Sequence, residues 1–410
     1  MRILHLNTYA SGGSYEYAAL LSNALANERI DSRVLCRGPA PSTGDRQVLN
    51  RLVRRISVSL SRETWHGAWR FLPPPGRGEL EGVDLVHLHT VGDWFNVPRW
   101  LRALPAHIGV VVSLHDLWHV SGGCFVYRGC ERFADTCSPC PILKPPVHRL
   151  LARRELAWKW RTYRDRHARL VANSRWLADT VAQSVTARAC GGVQVVSPAI
   201  DTTVFKPRDK RRCREEMGLP SDKFILVTGC ASLTDVYKNT PWLLERLAQL
   251  PDLKETLVVA FGDGRVPVPD GLNVRFTGAI RDRRALAGIL AAADVCVSAS
   301  QMETYGLTLV EAMACGTPVV AFRVGGIPEA APDGQAAILC AWQDGDALLA
   351  AITQLKKSPE VRRRLGEAAS ELALTRNAPG AFANSYARIY QECLVPVGNT
   401  CLKGERPSGG

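Results

Sequence analysis

The chain has 410 residues, 46% of them hydrophobic, which is enough for two or three domains with cores of their own. No run of about 18 apolar residues occurs, so no membrane-spanning helix is expected. The opening MRILHLNTYASGG places His5 and Asn7 where a secretory signal would be apolar, so a cytoplasmic protein is expected. Lys and Arg number 51 against 39 Asp and Glu, a net charge of +12. That balance fits a solvated surface or an acidic partner (nucleotide diphosphate, anionic lipid or nucleic acid) and does not choose among them.

Residues 2–7 read as a buried strand, Ser11-Gly12-Gly13-Ser14 as a turn, and Tyr17, Leu20, Leu21, Ala24 and Leu25 as the apolar face of a helix. Doubly wound folds open this way, and such a helix start can face a phosphate. No G-x-G-x-x-G is present, and a tight turn alone also explains the glycine pair. Between 46 and 72, Arg46, Arg51, Arg54, Arg55 and Arg62 interleave with Leu52, Val53, Ile56, Val58 and Leu60, followed by Trp65, Trp69 and Phe71. This suits a basic amphipathic segment on an anionic membrane, or an ordinary surface helix.

Val83–His89 and Gly109–His115 are apolar runs ending in histidine, as parallel strands do at the ends where ligands bind. A histidine just past a strand end can reach a ligand or be purely structural, and His89, His115 (followed by Asp116) and His119 are the candidates. Residues 121–141 hold Cys124, Cys130, Cys137 and Cys140, the last two as C-x-x-C. A structural zinc, a disulfide pairing or packed thiols all fit. The other cysteines are scattered through apolar stretches, as small core residues are.

Residues 149–169 read as a long helix with Arg149, Arg153, Arg154, Lys159, Arg161, Arg164, Arg166 and Arg169 as a cationic face, either solvated or in contact with a membrane or an anionic acceptor. Arg169–Ser174 is a strand, with Ser174 capping the next helix. Val193–Val196 is a strand and residues 197–207 a linker. A second strand, turn and helix follow: Phe224–Gly229, a polar loop with Lys238, then a helix from Asn239. Leu257–Phe261, Val274–Thr277 and Val295–Ser298 are further strands. Residues 359–375 and 381–394 are closing helices, and residues 396–410 a disordered tail.

The most informative stretch is ETYGLTLVEAMACGTPVVAFRVGGIPE, residues 303–329. Glu303 lies in a loop before a helix, and Glu311 about one turn inside it. Leu307, Val310 and Ala314 fall on one face, with Glu311 and Met313 on the other. Gly316 ends the helix and Thr317–Phe322 is a buried strand. The amides at Tyr305, Gly306 and Leu307 are free to hold an anion, and the carboxylates accept hydrogen bonds from hydroxyls. A sugar or ribose diol joined to a diphosphate offers both. The plainer alternative is one surface glutamate and one capping glutamate.

The E-x7-E spacing followed by EAMACGTPVVAFRVGGIPE resembles the donor-site signature of retaining glycosyltransferases of family 4. VANSRWLAD and the Ser113–Asp116 run extend the likeness over roughly residues 1–395. The resemblance implies an α/β GT-B fold: two Rossmann-like domains facing a cleft, with a C-terminal helix crossing back. The expected boundaries are 1–198 with 380–395 for the acceptor domain and 199–379 for the donor domain. It implies catalytic roles for His115, Lys238 and Glu303. It assigns donor binding to Gly12, Gly13, Lys238, Ile280, Glu303, Thr304, Tyr305, Gly306, Leu307 and Glu311, with Glu311 on the ribose hydroxyls and no catalytic cofactor.

The chain departs from the family at two places. Ser197-Pro198-Ala199-Ile200-Asp201 replaces P-N-G-I-D. Asn239 and Leu233 stand where a glycine and a phosphate-clamp arginine are usual, leaving Arg265 or Arg323 as stand-ins. The four-cysteine insert is similar to one in colanic-acid-type enzymes that build bacterial surface polysaccharides. The expected partners are a nucleotide-diphospho-sugar and a glycan or lipid-linked glycan, in exopolysaccharide, capsule or lipopolysaccharide synthesis at the inner face of the membrane. A nucleotide-sugar hydrolase or epimerase on the same scaffold is the alternative. A zinc-bearing nucleic-acid binder ranks last, because the positive charge is dispersed.

Overall fold

A computed structural model describes residues 1–37, 59–61, 67, 72–127 and 129–394. The basic stretch 46–72, apart from a few positions, and the tail 396–410 lie outside the described residues.

Twelve parallel strands form two six-stranded sheets. In the first, β1 (Arg2–Asn7), β2 (Asp31–Cys36), β3 (Leu85–Leu88), β4 (Gly109–Leu114), β5 (Arg169–Ala172) and β6 (Val193–Val195) run in the order β2-β1-β3-β4-β5-β6. In the second, β7 (Phe224–Ser232), β8 (Thr256–Asp263), β9 (Val274–Gly278), β10 (Val295–Ser298), β11 (Val319–Phe322) and β12 (Ala337–Cys340) run in the order β12-β11-β10-β7-β8-β9. Both are Rossmann-like, as the motif order implies. Helices cover each sheet on both sides, so central strands such as Leu85–Leu88 are buried along their whole length. The sequence reading passes over β2 and β12. Both are edge strands: β2 alternates with exposed Asp31 and Arg33, and β12 is four residues long. It also passes over the helices Arg283–Ala292 and Gly345–Lys357.

The last helix, Pro379–Leu394, belongs to the first sheet. Phe382, Ala383, Tyr386, Ile389 and Tyr390 pack with Tyr17, Leu21, Leu85 and Val111 in one core. The Tyr386 and Tyr17 hydroxyls meet at 2.6 Å.

Two local expectations change. The helix within 149–169 runs only Leu151–Asp165, and Lys159 is fully buried rather than part of a cationic face. Its ammonium donates to the Trp118 and Ser121 carbonyls at 2.6 and 3.0 Å, and so pins the turn that follows Asp116. The helix Leu307–Ala314 has no polar face, since every residue from Leu309 to Ala314 is buried, Glu311 included. Among the described residues no helix is long and apolar enough to cross a membrane.

Candidate active site

The carboxyl ends of both sheets open onto one cavity of about 260 Å³. Gly13 follows β1, His115 follows β4 and Asn173 follows β5. Across from them lie Thr228–Ala231 at the end of β7, Ser298 and Ser300 at the end of β10, Lys238, and Glu303 to Leu309. Strand order reverses beside β1 in one sheet and beside β7 in the other, and ligands bind at such switch points.

The 303–306 loop is fixed by its neighbours. Gly325 and Gly326 lie directly beneath it: a Cβ at Gly325 would come within 2.0 Å of the Glu303 carbonyl oxygen, and one at Gly326 within 2.2 Å of that of Thr304. The Gly326 amide donates to the Glu303 carbonyl at 2.9 Å. Gly306 takes a left-handed conformation, φ 96°, which turns the chain into the helix Leu307–Ala314 without a capping side chain. The first amides of that helix are therefore left for a ligand. Gly13 opens the helix Gly13–Asn27 on the opposite wall, also without a capping side chain. Two positive helix ends thus face one space.

Lys238 lines the same cavity. Its ammonium donates to Glu303 Oε1 at 2.5 Å, and Ser300 Oγ donates to the same oxygen at 3.0 Å. Burial disfavours the Lys238 charge, but the Glu303 carboxylate outweighs it and the lysine pKa is raised. Lys238 is thus a cation across the neutral range, held at the cavity wall. Neither Arg265 nor Arg323 lines the cavity, and Arg323 is paired with Asp333 at 2.5 Å. Leu233 is fully buried.

Glu311 lies under the floor rather than at the wall. It is 5% exposed and bonds to Arg283, which reaches Glu16 of the first domain at 3.6 Å. Burial raises the Glu311 pKa, and Arg283 acts against the shift. Gly12 sits at φ 88° in the turn beside the cavity, and Ile280 packs at the edge of the second core; neither lines the cavity, nor does Glu311. Tyr305 gives the cavity its backbone, while its hydroxyl accepts from Asn377 at 2.8 Å.

The two walls are joined through Thr304. Its hydroxyl donates to the His115 carbonyl at 3.2 Å and accepts from Asn173 Nδ2 at 2.9 Å. The carbonyl can only accept, so the hydroxyl proton is used there, and Asn173 must offer its amino end to Thr304. Asn173 Oδ1 is thereby left as a buried acceptor with no protein partner, at the cavity wall. Sequence reasoning missed Asn173, Ser300 and Arg283. VANSRWLAD carries Asn173 in plain view, but nothing local says that the second domain reaches it.

His115 lines the cavity, and burial lowers its pKa to about 4, so the ring is neutral. Burial raises the Asp116 carboxyl to about 7 while it accepts from the Trp118 amide at 2.7 Å. His89 and His119 lie behind the wall; His119 Nε2 donates to the His89 carbonyl at 2.7 Å. The four cysteines of 121–141 fold beside this region. Cys124 donates to Cys140, whose thiol falls to about 6 in consequence. The Gly122 amide donates to Cys137 Sγ at 3.2 Å, and Cys130 is half-buried.

Comparison with known proteins agrees with this geometry. The family model described as Glycosyltransferase Family 4 matches residues 11–204, and that described as Glycosyl transferases group 1 matches residues 223–358. The D-inositol 3-phosphate glycosyltransferase 2 of Catenulispora acidiphila is 34% identical over 422 residues, covering 94% of this chain and 91% of that protein. The D-inositol 3-phosphate glycosyltransferase of Saccharomonospora viridis is 30% identical over 57% of this chain and 58% of its own length. Among solved structures, sucrose-phosphate synthase from Thermosynechococcus elongatus superposes with a TM-score of 0.67 at 20% identity, over 95% of this chain and 98% of that one. Anabaena HepE in complex with UDP-glucose gives 0.62 at 18% identity, over 96% and 100%. Both likenesses speak to the fold, which is GT-B.

Proposed function

The chain belongs to glycosyltransferase family 4, and from that premise we propose that it moves a sugar, with retention, from a nucleotide-diphospho-sugar to an acceptor hydroxyl. The observation that carries this reading is the meeting of two uncapped helix starts and a charged lysine in one interdomain cavity. Departure of a nucleotide diphosphate leaves negative charge, and preorganised amides and an ammonium stabilise it at no reorganisation cost. Glu303 is the one carboxylate among the described lining residues, and Lys238 and Ser300 hold its Oε1. Its other oxygen is left for a sugar hydroxyl. A glycosidase needs two carboxylates flanking the bond, and the wall supplies one.

The first-domain side of the cavity offers Gly13, Ser14, Tyr17, His115 and Asn173, with no cation among the described residues. We read the acceptor as a glycan or lipid-linked glycan, where the names of the relatives carry an inositol phosphate. The cysteine insert supports a place in surface-polysaccharide synthesis, and a lipid-linked acceptor would put that work at the inner face of the membrane.

A thermal-shift screen against UDP-, GDP- and ADP-sugars tests the donor. A ligand at a hundred times its Kd stabilises by about 2.7 kcal/mol, which is several degrees in Tm. At least one nucleotide-sugar is expected to do this, with a smaller shift in Glu311→Ala. No shift from any of them removes the proposal. Product analysis then separates transfer from hydrolysis, which would consume donor without acceptor.

A structural zinc on Cys124, Cys130, Cys137 and Cys140 is a further part of this proposal: Cys124 and Cys140 are in contact, while no three of the four sulfurs lie within ligand distance of one another, so the loop would have to close around the metal. Elemental analysis is expected to find about one zinc per chain, lost in the Cys137→Ser, Cys140→Ser double variant. A metal-free wild-type protein would refute it.

A further inference from the structure

Behind His115 lies a row of imidazoles that the reaction as described does not use. His115 Nε2 meets His89 Nδ1 at 3.0 Å, and His89 Nε2 meets His5 Nδ1 at 3.1 Å. The three residues come from the ends of β4 and β3 and from within β1, so the row crosses the first sheet from the cavity inward. His5 and His89 are fully buried. The rings are too close together and too far from water to carry charge, and burial holds all three neutral at ordinary pH.

Neighbouring groups do not interrupt the row. His87 lies tilted against His89 with centroids 4.2 Å apart, but its own nitrogens meet the Tyr390 and Ser113 hydroxyls at 2.7 and 2.8 Å. Nitrogens of His5, His87 and His89 lie within 4.8 Å of one another. Those contacts use every ring nitrogen of the three except His5 Nε2, so the cluster reads as a hydrogen-bonded row.

A neutral imidazole has one N–H and one lone pair, so the row runs in one direction only. Its inner end decides which. His5 Nε2 is buried and has no partner. An orphaned buried N–H is rarer than an orphaned acceptor, so the His5 proton belongs on Nδ1. His5 Nδ1–H then donates to His89 Nε2, His89 Nδ1–H donates to His115 Nε2, and His115 must carry its own proton on Nδ1. That nitrogen is the one left for the cavity.

We propose that His5 and His89 are positioning residues that lock His115 as an Nδ1–H donor, so that it hydrogen-bonds an oxygen of the bound sugar and does not act as a base. This deepens the sugar-transfer reading and rests on it only for the identity of the ligand. The row replaces the usual single anchor of such a ring with a buried one that water cannot reverse.

The test is 15N NMR of histidine-labelled protein without ligand, with His115 assigned by comparison with His115→Gln. The wild type is expected to show a protonated Nδ1 and a pyridine-like Nε2 at His115. In His5→Leu the row loses its inner donor, the His115 pattern is expected to shift toward the other tautomer, and kcat to fall about tenfold with little change in donor KM. His5→Asn, whose amide nitrogen takes the place of Nδ1, is expected to restore both. A wild-type His115 protonated on Nε2 overturns the proposal whether or not any variant folds, as does a folded His5→Leu with unchanged spectrum and kcat. The correct tautomer in a protein that transfers no sugar would instead count against the sugar-transfer reading alone.

Discussion

Lys238→Met is expected to lower kcat by about two to three orders of magnitude, the cost of removing one preorganised charge-stabilising group. The lysine shares the cavity lining with two helix starts and is held by Glu303 at 2.5 Å, so under the proposed transfer it would need no rearrangement as the diphosphate leaves. Its folded pKa is raised above the ordinary lysine value. The stability the raised lysine contributes is therefore present below the unfolded lysine pKa, as long as the Glu303 carboxylate is ionised, and is lost at the alkaline end as pH rises through the folded lysine pKa. The pH–rate profile near neutrality should not report Lys238. Met matches the aliphatic stem, so the loss is electrostatic rather than a cavity. Steady-state kinetics with the donor found by thermal shift measure it. A kcat within threefold of wild type would show that the amides alone carry the leaving group.

The second large effect is on stability. Arg283→Ala is expected to cost on the order of 3 kcal/mol at neutral pH, because it strands a carboxylate whose side chain is 6% exposed. Glu311 already has a raised pKa from burial, and Arg283 is what holds that rise in check. Without it the folded pKa climbs further above the unfolded one. A raised carboxyl penalises the folded state above the unfolded carboxyl pKa and fully above the folded one. The deficit of the variant should thus grow as pH rises from the ordinary carboxylate range and shrink as pH falls. Urea unfolding at several pH values reads this directly. A pH-independent deficit would mean that Arg283 matters by packing on Phe205, 4.7 Å from its ring, and not by charge. The double change Arg283→Ala, Glu311→Leu should recover much of the loss, since replacing a buried pair with apolar groups is often neutral. Arg283 also reaches Glu16 across the cleft, so the single variant is expected to bind donor more weakly as well.

The ends of the strands and the E-x7-E stretch were legible because their signals are local. Glu303 and the 305–307 amides were named from spacing and from an apolar run beginning at Leu307, and Lys238 from the family resemblance; the cavity gathers all of them. Glu311 was read as a ligand group for ribose hydroxyls, on the helix face it shares with Met313. Its helix packs on both sides, so the Glu311 side chain is buried and paired with Arg283. Lys159 failed the same way: a cationic heptad-like run looks solvated until the turn carrying the Trp118 and Ser121 carbonyls folds over it.

The sequence by itself determined the strands, the glycine turns and the helix start behind Glu303, since hydrophobic period, glycine placement and helix starts are properties of neighbouring residues, and its motifs carried the family resemblance. Tertiary structure alone decided which charges pair and which polar atoms are left over. Asn173 Oδ1 and His5 Nε2 become orphans only when Thr304, 131 positions away, and His89, 84 positions away, arrive to take the other end of each side chain. A hydrogen bond has two partners, and the chain writes down only one of them at a time.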